Sequence, residues 1–233
     1  MNPKSVVLAL SGGMDSSTLL AHLLDQGHSV DALIFTYGSK HNEYENKAAQ
    51  DIARHYGVPH HIIDLSGVMA SFKSNLLKSG GAIPEGHYED ESMALTVVPA
   101  RNIIFLSILA GHAWSVGATE IAIGIHQGDH VVYEDCRKEF FKAMDSALYL
   151  GTGGRVEISA PFVNLDKTGI LGVGQGLGVP YGLTRTCYKD QPLACGKCGS
   201  CCERLSAFYS LGVADPADYE NREEYKKFLA KKG

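Results

Sequence analysis

One open, parallel β-sheet covered by helices on both faces is the fold class this sequence predicts. Three observations carry the prediction: short continuous apolar runs, helical periodicity between them, and a glycine turn set between the first run and the first helix. Val6 to Leu10 is a buried-strand pattern closed by Ser11-Gly12-Gly13. Leu19, Leu20, Leu23 and Leu24 then recur at helical spacing. Val30 to Phe35, broken only by Asp31, is the second strand, and Glu43 to Tyr56 the second helix, stopped by Gly57 and Pro59. His60 to Asp64 is a third strand. Strands alternating with helices imply right-handed crossovers and a parallel sheet.

Ser66 to Thr96 is less regular, with Ser79-Gly80-Gly81, Pro84, Gly86 and the Glu89-Asp90-Glu91 run, and is expected to be a long loop or lid with one short helix. Periodicity returns from Arg101 to Val116. Glu120 to Gly124 follows as a strand, Asp135 to Leu150 as a helix, Val156 to Ala160 as a strand, and Asp166 to Leu177 as a helix with Asp166 as N-cap. Beyond Thr184 the chain changes character: a cysteine cluster, a helix from about Cys202 to Leu211, and a charged tail. The expected division is an α/β unit over 1–183 and a smaller helical region over 184–233.

The 233 residues carry 21 Lys+Arg against 26 Asp+Glu, a net charge of −5. That acidic balance argues against a protein that grips duplex nucleic acid through phosphate neutralisation. The longest apolar run, Ile103 to Ala110, falls far short of the roughly 20 residues of a bilayer span. No secretory h-region precedes Ser11, so the chain is expected in the cytoplasm. The 26 glycines exceed the roughly 16 of average usage, as suits loops that approach ligands closely.

Three patterns carry chemistry. Ser11-Gly12-Gly13-Met14-Asp15-Ser16 joins a strand to a helix, where inward N–H groups, the Ser11 and Ser16 hydroxyls and the helix dipole form an anion cradle suited to pyrophosphate. It lacks the Gly-Lys-[Ser/Thr] ending of a Walker loop and the spacing of a dinucleotide fingerprint. Cys187-x7-Cys195-x2-Cys198-x2-Cys201 has the count and softness of a tetrahedral S4 zinc site, with a disulfide pair, free thiols or an iron–sulfur cluster as alternatives. Cys202 and Cys136 are left over. Finally, Arg101 and Asn102 at a helix start, and the polar run His126 to Arg137 after a strand end, fall where α/β sheets bind ligands. Arg101 offers a bidentate grip on a carboxylate or phosphate, although an arginine at a helix start, taken alone, is more often structural. Lys167, at another helix start, could reach a phosphate, or stand exposed in water.

The loop SGGMDS resembles the PP-loop of the ATP pyrophosphatases, which cleave ATP between the α and β phosphates. Together with MALTVVPARN, GIHQGDHVVYEDCR, TCY and CGKCGSC, in this order from Val6 to Arg204, it resembles the 7-cyano-7-deazaguanine synthase family of the queuosine pathway. The resemblance implies a Rossmann-like fold and ATP-dependent conversion of 7-carboxy-7-deazaguanine and ammonia to the nitrile. It further implies magnesium on the ATP, one structural zinc per subunit and a homodimer. The zinc ligands map to Cys187, Cys195, Cys198 and Cys201. The nucleotide segment maps to Leu8, Ala9, Leu10, Ser11, Gly12, Gly13, Met14, Asp15, Ser16, Ser17 and Thr18. Asp15, Ser16, Lys167 and Arg101 are the expected catalytic groups. Arg101, Asn102, His126, Asp129, His130, Tyr133, Asp135 and Arg137 are the expected contacts of the acid substrate. One departure stands out: the family usually reads Tyr-Pro-Asp-Cys-Arg, and Glu134 occupies the proline position here. The rival readings are another PP-loop enzyme, stopping at the amide or acting on tRNA, and a non-catalytic zinc module. The latter would need more basic residues than Lys189, Lys197 and Arg204 around its cysteines.

Overall fold

Alternation along the strands sends side chains to two different cores, and this sets the layers. The computed structural model describes residues 2–86, 91–128 and 132–232, so Glu89, Asp90, Asp129 and His130 lie outside the described residues. In β1 (Ser5–Ala9), Val7 faces one way with Leu33 and Phe35 of β2 (Ser29–Thr36) and Ile121 of β4 (Glu120–Ala122). Val6 and Leu8 face the other way with Ala32, Ile34 and Ala122. Both sets are buried, as a two-sided parallel sheet requires.

The first face is covered by α4 (Arg101–Val116) through Phe105, Leu106, Leu109 and Ala113, and by α5 (Lys138–Gly151) through Phe141. The second is covered by α1 (Met14–Asp25), α2 (Asn42–Tyr56) and α6 (Lys167–Gly176) through Leu19, Leu20, Leu23, Ile52 and Ile170. Each fully buried leucine contributes about 2–3 kcal/mol, so reversing the alternation of even one strand would be prohibitive.

The sheet runs β3-β2-β1-β4-β5, every pair parallel, with β3 at His60–Asp64 and β5 at Glu157–Ser159. The chain winds outward from β1 to β3, then crosses back to start β4 on the other side of β1. A crevice therefore opens at the carboxyl ends of β1 and β4, where such sheets bind ligands.

In its described residues the long irregular segment is anchored rather than loose. It carries the short α3 (Ser66–Met69) and a 3-10 turn at Glu91–Thr96, and Met69, Leu76, Leu77 and Met93 are buried in the first core. Gly86 N–H bonds the carbonyl of Lys197, tying the segment to the cysteine region. The helix expected from Asp135 starts at Lys138, after a 3-10 turn at Glu134–Cys136. The reason is a competing contact: the Asp135 carboxylate accepts the N–H of Asn102 at 3.0 Å and caps α4 from a distant part of the chain. Ala100, at the N-cap of α4, is held at φ 54°, a strained conformation for alanine. The turn closes with Glu134 in place, Cys136 N–H bonding the Tyr133 carbonyl at 3.1 Å. As expected, Asp166 caps α6, its carboxylate accepting the Gly169 N–H at 2.7 Å.

Two further helices close the chain: α7 (Gly199–Ser210) and α8 (Glu224–Lys232). Ala207 and Phe208 of α7 pack with Met14, Leu171 and Tyr181. Arg204, basic by composition, is 1% exposed. Its guanidinium donates to both carboxylate oxygens of Asp215 at 2.8 Å, and Tyr219 donates to the same carboxylate at 2.7 Å. Burial disfavours the Asp215 charge, yet Arg204 outweighs it and holds the carboxyl below its usual range. A lowered folded-state value stabilises above the unfolded value of about 3.9 and is lost as pH falls through the folded one. Urea unfolding between pH 7 and pH 3 is therefore expected to show the wild type losing its advantage over Asp215→Asn below pH about 4.

Candidate active site

The phosphate loop leaves β1 at its carboxyl end and enters α1. Gly12 adopts φ 76°, and a Cβ on it would stand 2.3 Å from the backbone nitrogen of Ala49 in α2. The loop thus needs glycine twice over, for the left-handed backbone and for the close approach. Gly12→Ala is expected to lower the thermal midpoint, by an overpacking cost of about 1–3 kcal/mol, and to abolish ATP binding, both measurable by a thermal shift with and without nucleotide.

Among the described residues no side chain caps α1, whose N-cap is Gly13, so its first N–H groups face the crevice. Ser11 and Ser16 hydroxyls lie 3.0 Å apart, and Ser11 Oγ accepts the Gly13 N–H at 3.2 Å. Next to them is a charged cluster drawn from four separate elements. Lys167 Nζ sits 2.6 Å from Asp15 Oδ2 and 3.2 Å from Glu203 Oε2. His126 Nε2 lies 3.9 Å from Asp15 and 4.0 Å from Glu203. Gly128 N–H donates to His126 Nδ1 at 3.0 Å, which places the proton of the neutral ring on Nε2, facing the carboxylates. Burial works against the Asp15 charge, but Lys167 foremost reverses it and the carboxyl lies below its ordinary value. Asp15 Oδ1 is buried with no hydrogen-bond partner among the described residues. An uncapped helix start, a lysine and a spare carboxylate oxygen fit the phosphates and the magnesium of an ATP.

From this cluster a cleft runs across the sheet end to Arg101, Tyr133 and Tyr188. Arg101 lies over the Tyr133 ring at 5.6 Å, and Tyr133 shares a hydrogen bond with Thr96 at 2.9 Å. Burial disfavours the Arg101 charge, but Tyr37, Tyr133 and Asp135 around it hold its value well above the ordinary one. Burial pushes the Tyr37 phenol up to about 12, with Glu45 adding to it.

The expected residues divide accordingly. Asp15, Ser16, Lys167, Arg101, His126 and Tyr133 converge on one region, Lys167 as a buried ion-pair partner rather than an exposed lysine. Asn102 borders the cleft, but its amide donates to the Asp135 carbonyl at 3.0 Å and to Cys136 Sγ at 3.3 Å. Asp135 caps α4, and Arg137 is exposed outside the cleft lining. Sequence reading missed Glu203, Tyr37 and Arg185. Tyr37 follows the carboxyl end of β2, where the strand-end rule would have found it. Glu203 had no such signal.

Cys187, Cys195, Cys198 and Cys201 are all buried, with their sulfurs within 4.8 Å of one another, and Cys195 and Cys201 are 4.0 Å apart. A tetrahedral ion at about 2.3 Å from each sulfur needs separations of about 3.8 Å, so the four fit a metal. Backbone N–H groups of Lys189 and Cys195 bond Cys187 Sγ, and those of Lys197 and Cys198 bond Cys195 Sγ, at 3.2–3.4 Å. The thiols of Cys187, Cys198 and Cys201, with the Lys197 N–H, hold Cys195 far below the usual thiol range. Gly196, at φ 69°, makes the knuckle possible, since a Cβ there would lie 1.6 Å from the Asn221 carbonyl. Arg185 joins this region to the phosphate loop, its N–H bonding the Gly12 carbonyl at 2.8 Å.

An open parallel sheet with a PP-loop at its switch point, lysine and carboxylates beside it, defines an ATP-utilising α/β enzyme. The fold agrees with a solved structure, a 4-thiouridine synthetase–RNA complex with bound ATP, at TM-score 0.52 and 18% identity, covering 98% of this chain and 49% of that one. The family model described as queuosine biosynthesis protein QueC matches residues 4–212, and the chain belongs to that family. It is 47% identical over 214 residues to 7-cyano-7-deazaguanine synthase of Caldicellulosiruptor saccharolyticus, covering 92% of this chain and 95% of the relative. The synthase of Methanoregula boonei is 45% identical, covering 92% and 98%.

Proposed function

We propose that this chain is a carbon–nitrogen ligase that converts 7-carboxy-7-deazaguanine and ammonia to 7-cyano-7-deazaguanine, with two ATP consumed. The observation that supports it most is a single cleft with the phosphate loop at one end and the Arg101–Tyr133 wall at the other, in a chain whose relatives carry that activity in their names. The substrate carboxylate, gripped by Arg101, attacks the α-phosphorus, and pyrophosphate leaves toward the α1 N-terminus and Lys167. Ammonia displaces AMP to give the amide. The amide oxygen then attacks the α-phosphorus of a second ATP, expelling a second pyrophosphate and giving up one N–H proton, and loss of AMP with the remaining N–H proton leaves the nitrile. Preorganised donors at the loop act on charge that grows on the leaving pyrophosphate. Asp15, with magnesium brought by the ATP, holds those phosphates in line.

In this reading the nucleotide lies against Ala9, Leu10, Ser11, Gly13, Asp15 and Ser16 of the expected Leu8 to Thr18 segment, whose Leu8, Met14, Ser17 and Thr18 are buried behind the loop. Asn102 borders the substrate wall and Asp135 supports it by fixing α4, whereas Arg137 stands outside it. The cysteines hold one zinc per chain, which is structural because an S4 shell leaves no position for water. The α/β unit, 1–183, carries the nucleotide and 184–233 the zinc. The protein works in the cytoplasm as a homodimer on small molecules, without nucleic acid or membrane partners. No helix among the described residues is long and apolar enough to cross a membrane.

Product mass and an AMP count with the purified chain test this. Nitrile at two AMP per product is expected. Amide accumulating at one AMP per product in excess ATP would leave an adenylylating ligase of a different outcome, and pyrophosphate release with tRNA in place of the acid would overturn the substrate.

A further inference from the structure

Far from the cleft, at the amino-terminal side of the sheet, three side chains from three elements meet. Asp31 is the one acidic interruption of the apolar β2, His61 lies on edge strand β3, and His112 is on α4, about 16 Å along that helix from Arg101. All three project to the same face. Asp31 Oδ2 is 2.9 Å from His112 Nε2, and Asp31 Oδ1 is 3.3 Å from His61 Nε2. One ligand atom from each residue lies within 4.8 Å of the other two.

We propose that Asp31, His61 and His112 form a second metal site, one that binds a divalent transition ion such as Zn²⁺ through two imidazole nitrogens and a carboxylate. Two features favour an ion over a plain hydrogen-bonded trio. Asp31 Oδ1 is buried and receives no hydrogen bond among the described residues, although a histidine stands 3.3 Å away. Carboxylate oxygens so placed call for a cation or a donor. The observed 2.9 and 3.3 Å separations are also those of ligand atoms sharing an ion at about 2.0–2.2 Å. The donor set selects the ion: imidazoles suit zinc, copper and nickel, whereas magnesium and calcium prefer oxygen throughout. His61, 52% exposed, leaves an approach from solvent and coordination positions for water. The ion would fasten edge strand β3 to α4, which nothing in the cysteine site does.

Equilibrium dialysis of the full chain against micromolar free Zn²⁺, followed by elemental analysis, tests the site. Wild type is expected to hold one zinc more per chain than His61→Gln or Asp31→Asn, with affinity for that ion falling at least about tenfold in each variant. The difference between proteins carries the result, so it stands apart from what the cysteines hold and from which reaction is catalysed. Added Zn²⁺ is also expected to raise the thermal midpoint of wild type and not of His61→Gln. His61 is half exposed, so its replacement tests the site even where Asp31→Asn folds poorly. Equal zinc content in wild type and His61→Gln, or an unchanged affinity, overturns the proposal. A second ion displaced by millimolar Mg²⁺ overturns its assignment as a transition-metal site.

Discussion

Replacing Lys167 with methionine is expected to cut pyrophosphate release by about 10²- to 10³-fold and to destabilise the fold by about 3–5 kcal/mol. Methionine keeps most of the volume, so packing is preserved while the charge goes. What remains is a pair of carboxylates, Asp15 and Glu203, that had both faced the ammonium at 2.6 and 3.2 Å. Lys167 is 7% exposed at its side chain, so water does little to replace it. Asp15 loses the main influence that held its carboxyl low, and its charged form becomes costly. Adding Asp15→Asn to Lys167→Met should recover much of the stability and none of the turnover, because it removes the stranded charge without restoring the phosphate contact. Urea unfolding and a pyrophosphate assay separate the two effects. Normal turnover in Lys167→Met would take the lysine out of the reaction.

The second large effect belongs to Cys198→Ser. Cys198 is the N-cap of α7, with extended backbone, and serine is among the best residues for that position. The helix start is therefore favoured by the change, and whatever is lost is lost through the thiolate. Metal content is expected to fall by one ion per chain, and folded yield with it, since structural zinc sites supply folding energy directly. Activity should fall in parallel, because α7 also carries Glu203 to the charged cluster and Arg204 to Asp215. Cys202→Ser is the control: its sulfur points to the carbonyls of Gly196 and Lys197 and it lies outside the four-sulfur group. Full metal in Cys198→Ser, or loss in Cys202→Ser, would reassign the ligands.

Strands and glycine punctuation were legible in the chain because a two-sided parallel sheet writes itself as uninterrupted apolar runs. Val6 to Leu10, Val30 to Phe35 and His60 to Asp64 each fall within a residue or two of an observed strand. Helix α4 matches its expected span, and the phosphate loop and the four cysteines were legible because each is local, a few residues with one chemistry. Glu203 was not, since its partners Asp15, His126 and Lys167 arrive from elsewhere in the fold and its neighbours are cysteines. Arg204 counted in the sequence only as one of the few basic residues beside the cysteines for the same reason: nothing near it announces Asp215 as a buried partner. Asp135 shows the converse. Its place in a polar run after a strand suggested ligand contact, whereas the fold uses it to cap a helix that begins 34 residues earlier.

The strand order has a consequence for how the molecule comes apart. Val6, Val7 and Leu8 of β1 are fully buried, and so is β4, whereas the edge strands β3 and β5 are largely half-exposed or exposed. Amide hydrogen exchange should therefore run from the rims inward, with β3 and β5 opening in local fluctuations and β1 exchanging at the cost of global unfolding. The phosphate loop hangs from the slowest strand, while the residues facing the acid substrate hang from α4 and the turn beyond β4. A partly opened molecule would keep its grip on nucleotide after its grip on the acid had gone. Protection of the loop amides by ATP alone, against protection of the Tyr133 region by acid substrate, would read out those two levels of order in one exchange experiment.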